Sequence, residues 1–111
     1  MDAKKAWRGH LRYKGRNANV CVLTWPHEAW RFIEGGRYAR VLYDEEAKTL
    51  TIFAVDEPGL EVYQGFGQGR IGVMFFIGED IRIPRKRRQT GPITANAVER
   101  KIIFPLPKKG G

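Results

Sequence analysis

Turn-forming residues cut this chain into short pieces, and that punctuation limits what it can fold into. Gly15-Arg16-Asn17, Gly35-Gly36, Asp44 to Lys48, Asp56-Glu57-Pro58-Gly59, Gly65 to Gly72 and Gly78-Glu79-Asp80 each favour a change of backbone direction. The segments between them are of strand length and rich in β-branched and aromatic residues, so short antiparallel strands are expected and long helices are excluded.

Lys4 to Gly15 alternates with period two: Trp7, Leu11 and Tyr13 fall on one face, while Arg8, His10, Arg12 and Lys14 fall on the other. The pattern predicts a strand with an apolar inner face and a cationic outer one. Asn19 to Trp25, built around Val20-Cys21-Val22-Leu23, suits a strand buried on both faces, with Cys21 in the core. Pro26 fits a first helical position, Glu28 complements the helix dipole and Gly35-Gly36 supplies a stop, which predicts one helix over residues 26–34. Its apolar stripe is Ala29, Phe32 and Ile33, with Trp30 at the edge.

Arg37 to Tyr43 and Thr49 to Val55 predict a hairpin across the polar loop Asp44 to Lys48. Short strands are expected at Leu60 to Tyr63, at the strongly apolar run Ile71 to Ile77, around Ile81-Arg82-Ile83, and from Val98 to Phe104. Residues 84–97 contain Arg85-Lys86-Arg87-Arg88 with glycine and proline breaks, which predicts an exposed loop. The fold class is therefore mainly β, a small sandwich or partly open barrel of seven or eight short strands with one short helix. At 111 residues the chain supports one core, so a single domain over 1–111 with a short basic tail at 105–111 is expected.

With 42% apolar and 29% charged residues the composition is that of a globular protein. No apolar run approaches the roughly 18 residues of a membrane span, and no secretory-type apolar stretch opens the chain, so a cytoplasmic protein that does not enter membranes is expected. Cys21 is the single cysteine and His10 and His27 the only histidines, which excludes an internal disulfide and a structural zinc site; no metal or cofactor is expected.

The net charge of +8 favours a polyanionic partner, and its distribution says more than its size. Residues 1–43 hold nine Lys or Arg against three acids, residues 44–61 one against six, and residues 62–111 ten against three. Two basic ends flank an acidic middle.

Alternate residues on one strand face recur at about 6.6 to 6.8 Å, so Arg8, Arg12, Lys14 and Arg16 can meet successive phosphates of a nucleic acid. The plain alternative is an edge strand charged to discourage aggregation. Arg85, Lys86, Arg87 and Arg88 form a second phosphate-binding candidate, against the alternative of a merely solvated charge run. Phe66, flanked by Gly65 and Gly67, is a candidate for base stacking, with Arg70 beside it; Tyr63 and Tyr38 are further candidates.

Gly67 to Gly72 matches the spacing of a dinucleotide-binding loop, but an apolar strand follows where a helix is required, so the glycines read as a bent connection. Catalytic material is scarce: there is no serine, the one cysteine is expected in the core, and Asp44, Glu45, Glu46, Asp56 and Glu57 fall at turns, where acids serve the backbone. No enzyme is expected.

The order of a strand (Val20 to Pro26), a short Pro-started helix, Gly-Gly, and a hairpin (Tyr38-Ala39-Arg40-Val41 and Leu50-Thr51-Ile52) resembles the AbrB/SpoVT swapped-hairpin family over residues 8–55. That resemblance implies an intertwined homodimer that binds DNA through Arg8, Arg12, Lys14 and Arg16. The second half of the chain has no counterpart in that short domain. Three functional readings remain open: a non-catalytic RNA-binding component of a ribonucleoprotein, a DNA-binding regulator or chromatin protein, and a protein-interaction module such as an antitoxin or assembly factor that uses the acidic band Asp44 to Glu61.

Overall fold

The structure is a computed structural model and describes residues 4–14, 20–65, 67–76 and 88–106. In chain order the elements are β1 (Lys4–Lys14), β2 (Val20–Pro26), α1 (His27–Phe32), β3 (Tyr38–Asp44), β4 (Thr49–Val55), β5 (Leu60–Glu61), β6 (Tyr63–Gln64), β7 (Arg70–Phe76), β8 (Arg88–Asn96) and β9 (Lys101–Pro105). All pairings are antiparallel, and the sheet order is β5-β3-β4-β9-β8-β1-β2-β7-β6.

The two ends of that order are consecutive in the chain. The strand expected at Leu60 to Tyr63 is split at Val62, whose N–H donates to Arg37 O at 2.9 Å. Its first part, β5, pairs with β3, and its second, β6, pairs with β7. One short segment thus bridges the first and last long strands, and the sheet curls into a nearly closed barrel, which leaves few unpaired edges.

Alternation sets the interior. In β4 the burial follows period two, with Leu50, Ile52 and Ala54 inside. In β1, Gly9 and Leu11 face inward while Arg8 and Arg12 are exposed. Five consecutive residues of β2, Cys21 to Trp25, are buried, as its apolar run predicts. The core is tight against β1: a Cβ on Gly9 would lie 2.6 Å from Ile93 Cγ2 and 3.0 Å from Phe104 Cδ2, so no larger residue fits there without displacement.

α1 is shorter than residues 26–34. Pro26 remains extended, with φ −63° and ψ 140°, and precedes the helix as its cap instead of occupying its first turn. At the other end Glu34 takes the left-handed conformation (φ 56°), and the Gly35 N–H donates to Trp30 O at 2.8 Å. Gly35 is required for space: a Cβ there would sit 2.2 Å from the Trp30 indole. Trp30 is fully in the core, 5.2 Å from Trp25, and its Nε1 donates to Gly36 O. With Ala29 and Ile33 it covers the barrel end where β2 finishes and β3 begins. Phe32 is half-buried against Trp7, their ring centroids 5.5 Å apart.

Arg100 fastens this end. Its Nε donates to Ile33 O at 3.3 Å and its Nη2 to Glu34 O at 2.9 Å, covering carbonyls that the end of α1 leaves without helical partners. The guanidinium also lies 3.3 Å from Asp56, beyond β4.

Several expectations are overturned. Residues 84–97 are not all loop: Arg88–Asn96 is strand β8, paired with β1 from Arg12↔Arg88 to Lys4↔Asn96. Pro92 is tolerated because pairing with β9 starts only at Thr94, so on that side no neighbour needs its missing donor. Val98 does not begin the last strand. Asn96 Oδ1 accepts from the N–H groups of Val98 and Glu99, which makes residues 97–100 a turn and starts β9 at Lys101. The tail begins later than 105, since Pro105 ends β9, and Leu106 is buried and donates its N–H to Lys48 O at 2.7 Å. The turns expected at 15–17 and 78–80, the strand at 81–83 and residues 107–111 lie outside the described residues.

An exposed ion pair contributes at most about 1 kcal/mol, and the Asp56 side chain is 85% exposed, so the carbonyl bonds carry most of the Arg100 effect. Arg100→Ala is expected to lower unfolding free energy by about 1.5–3 kcal/mol and Asp56→Asn by less than about 0.5 kcal/mol, read from urea midpoints at unchanged m-value.

Candidate nucleic-acid interface

Four adjacent strands, in the order β8-β1-β2-β7, contain no aspartate or glutamate. They carry Lys4, Lys5, Arg8, Arg12, Lys14, Arg70 and Arg88. β1 supplies most of these cations, and it is hydrogen-bonded on both sides, to β2 and to β8. It is therefore an interior strand. Charging an open edge against aggregation does not explain it.

The register defines what lies beside what. Arg12 stands directly opposite Arg88 on β8 and Val22 on β2, and Val22 stands opposite Met74 on β7. One step along, His10 faces Thr90 and Thr24, and the His10 Nδ1 and Thr90 Oγ1 are 2.9 Å apart in a hydrogen bond. In the other direction Lys14 faces Val20, and Val20 faces Phe76. The two basic clusters read from the sequence thus meet at the Arg12↔Arg88 pair.

Residues directly opposite in a sheet share a face, so Met74 and Phe76 belong to the outer face that bears Arg12. Both are exposed, Phe76 to 77% and Met74 to 42%. Neither was singled out from the sequence, because a continuous apolar run does not say which alternate residues face out. Tyr63, a stacking candidate, is 48% exposed and pairs with Gly72 on the same face. Tyr38 is half-buried on β3, with the Arg37 guanidinium over its ring at 5.6 Å, so that ring face is already occupied.

Among the other candidates, Arg70 is half-buried at the start of β7, opposite Pro26. Lys14 and Arg88 are placed by their register. Arg16, Phe66, Arg85, Lys86 and Arg87 lie outside the described residues. Gly65, Gly67 and Gly69 have φ of 107°, 86° and 72°, a bent connection that leads into β7 and not into a helix, so the dinucleotide-loop geometry is absent.

Six of the described acids, Asp44, Glu45, Glu46, Asp56, Glu57 and Glu61, are exposed around β3, β4 and β5, while Glu28 lies on α1, Glu34 just after it, and Glu99 in the turn before β9. Asp44 Oδ1 accepts from the Ala47 N–H at 3.0 Å, the turn role expected of it. Cys21 is inaccessible, and burial pushes its thiol up to about 12, so it is protonated at neutral pH and poorly suited to attack a substrate. Among the described residues no group of three His, Cys, Asp or Glu side chains is placed to hold a metal ion, and no helix is long and apolar enough to cross a membrane. Compared with known proteins, the chain matches no family model, no curated protein and no solved structure.

The raised Cys21 value links stability to pH. Above the unfolded value of 9.0 the unfolded chain releases a proton that the folded chain keeps, so unfolding is favoured as pH rises towards 12. The stability of wild type relative to Cys21→Val is expected to be constant below about pH 8 and to fall above pH 9 by at most about 1.4 kcal/mol per pH unit, as measured by urea titration at each pH.

Proposed function

We propose that this protein is a non-catalytic nucleic-acid-binding protein that holds phosphates on the outer face of β8, β1, β2 and β7. The observation that carries the proposal is the acid-free four-strand surface with its interior cationic strand. Cations at strand spacing suit a polymer with regularly spaced phosphates, and the absence of acids leaves the field on that face undiluted.

The Arg12↔Arg88 register supports the same reading. Like charges directly opposite each other weaken a sheet by some 0.2 to 1 kcal/mol, a cost that an anionic partner reverses on binding. The polymer fits a cytoplasmic ribonucleoprotein component. A DNA-binding homodimer of the swapped-hairpin kind would use the same residues, Arg8, Arg12 and Lys14.

The test is a salt series with a labelled oligonucleotide. Replacing Arg8, Arg12, Lys14 and Arg88 together by Gln is expected to weaken binding and to lower the slope of log K against log salt by up to about 3. An unchanged slope overturns the assignment to this face. Arg88→Gln alone is expected to bind more weakly while the free protein becomes more stable by a few tenths of a kcal/mol to about 1 kcal/mol. A pull-down whose partners survive nuclease would favour instead a protein partner on the acidic side.

A further inference from the structure

The basic face is divided. Along its β1 side run exposed Arg8 and Arg12, with Arg88 as the register partner of Arg12. Along its β7 side stand exposed Met74 and Phe76, with Tyr63 beyond Gly72. Between them lies β2, whose Val22 and Thr24 have outer-face register yet are only 4% and 9% exposed. The buried β2 row separates two exposed banks, one of cations on β1 and one of apolar and aromatic side chains on β7. The banks are two strand spacings apart, about 10 Å, and Met74 and Phe76 are about 7 Å apart along β7.

Building on the nucleic-acid reading above, we infer that the partner of this face is an unpaired polynucleotide strand that crosses the buried β2 row, with its phosphates on the β1 bank and its bases on Phe76, Met74 and Tyr63. A duplex hides the π-faces of its bases inside the stack and offers its outside as phosphate and groove edges, so an exposed phenylalanine gains little from it. An unpaired strand presents bases on one side and phosphates on the other, which matches the two banks. A second copy of the chain fits less well. A symmetric contact through this face would bring both copies of Arg8 and Arg12 into one interface without an acid from these four strands to pair with.

The test measures fluorescence anisotropy of the full chain with a pyrimidine oligonucleotide, offered single-stranded in ribose and deoxyribose form and as the matching duplex. Phe76→Ala is expected to weaken single-strand binding by about 5- to 100-fold with the salt slope intact and to leave duplex affinity unchanged, while Phe76→Trp retains single-strand affinity. Circular dichroism of both variants checks that the barrel is intact. Dependence on Phe76 with either sugar supports the inference and names the polymer. Equal losses on single strand and duplex, or no loss on either, overturn it while leaving the phosphate-binding reading in place. Failure of the wild type to bind any of the three probes at low salt overturns both. A wild-type dimer that Phe76→Ala converts to a monomer overturns the inference in favour of a second copy.

Discussion

β1 is the strand on which the rest of the barrel is registered. Its eleven residues pair with β8 along nine positions and with β2 along five. Gly9 and Leu11 set the phase: one must leave room for Ile93 and Phe104, and the other fills the core. A slip of one residue would bury arginines and expose leucine, a change no barrel of this size can absorb. The same phase that makes the core therefore also places Arg8 and Arg12 in solvent. Core and candidate interface are two faces of one register.

The end covered by α1 depends on a second, more local constraint. A helix of six residues has few internal hydrogen bonds and is held by what it packs against and by what satisfies its last carbonyls. Trp30 supplies the packing against Trp25, Gly35 makes room for the indole, and Arg100, far along the chain, reaches back to Ile33 O and Glu34 O. This arrangement joins the turn before β9 to the start of the fold, so both halves of the chain contribute to closing one end of the barrel.

Charge follows the same division. Cations gathered on β1, β7 and β8 repel one another in the free protein, and most of the described acids are carried elsewhere, by β3, the turns around β4, and β5. Folding by itself gains nothing from such segregation, since a mixed surface would be more stable at the same net charge. The proposed anionic partner would offset this cost on binding.

How much of this was legible beforehand depended on the distance over which each feature is decided. The alternation of Lys4 to Gly15, the two-sided burial of β2, the hairpin across Asp44 to Lys48 and the turn role of Asp44 are governed by residues within a few positions of one another, and periodicity and turn chemistry are enough to read them. The mainly β class and the single helix follow from the same local rules, whereas the described residues form nine strands where seven or eight are expected, because the strand at Leu60 to Tyr63 splits in two and Arg88–Asn96 joins the sheet. Tertiary structure alone decided that Arg88 to Asn96 is a strand, because the β1 ladder overrides its glycine and proline, and that Arg12 and Arg88 are neighbours across 76 positions of sequence. It alone left Phe76 in solvent at the end of an apolar run, and gave Arg100 its carbonyls. Strand pairing between distant segments is set by the closure of the whole sheet, which no local period encodes.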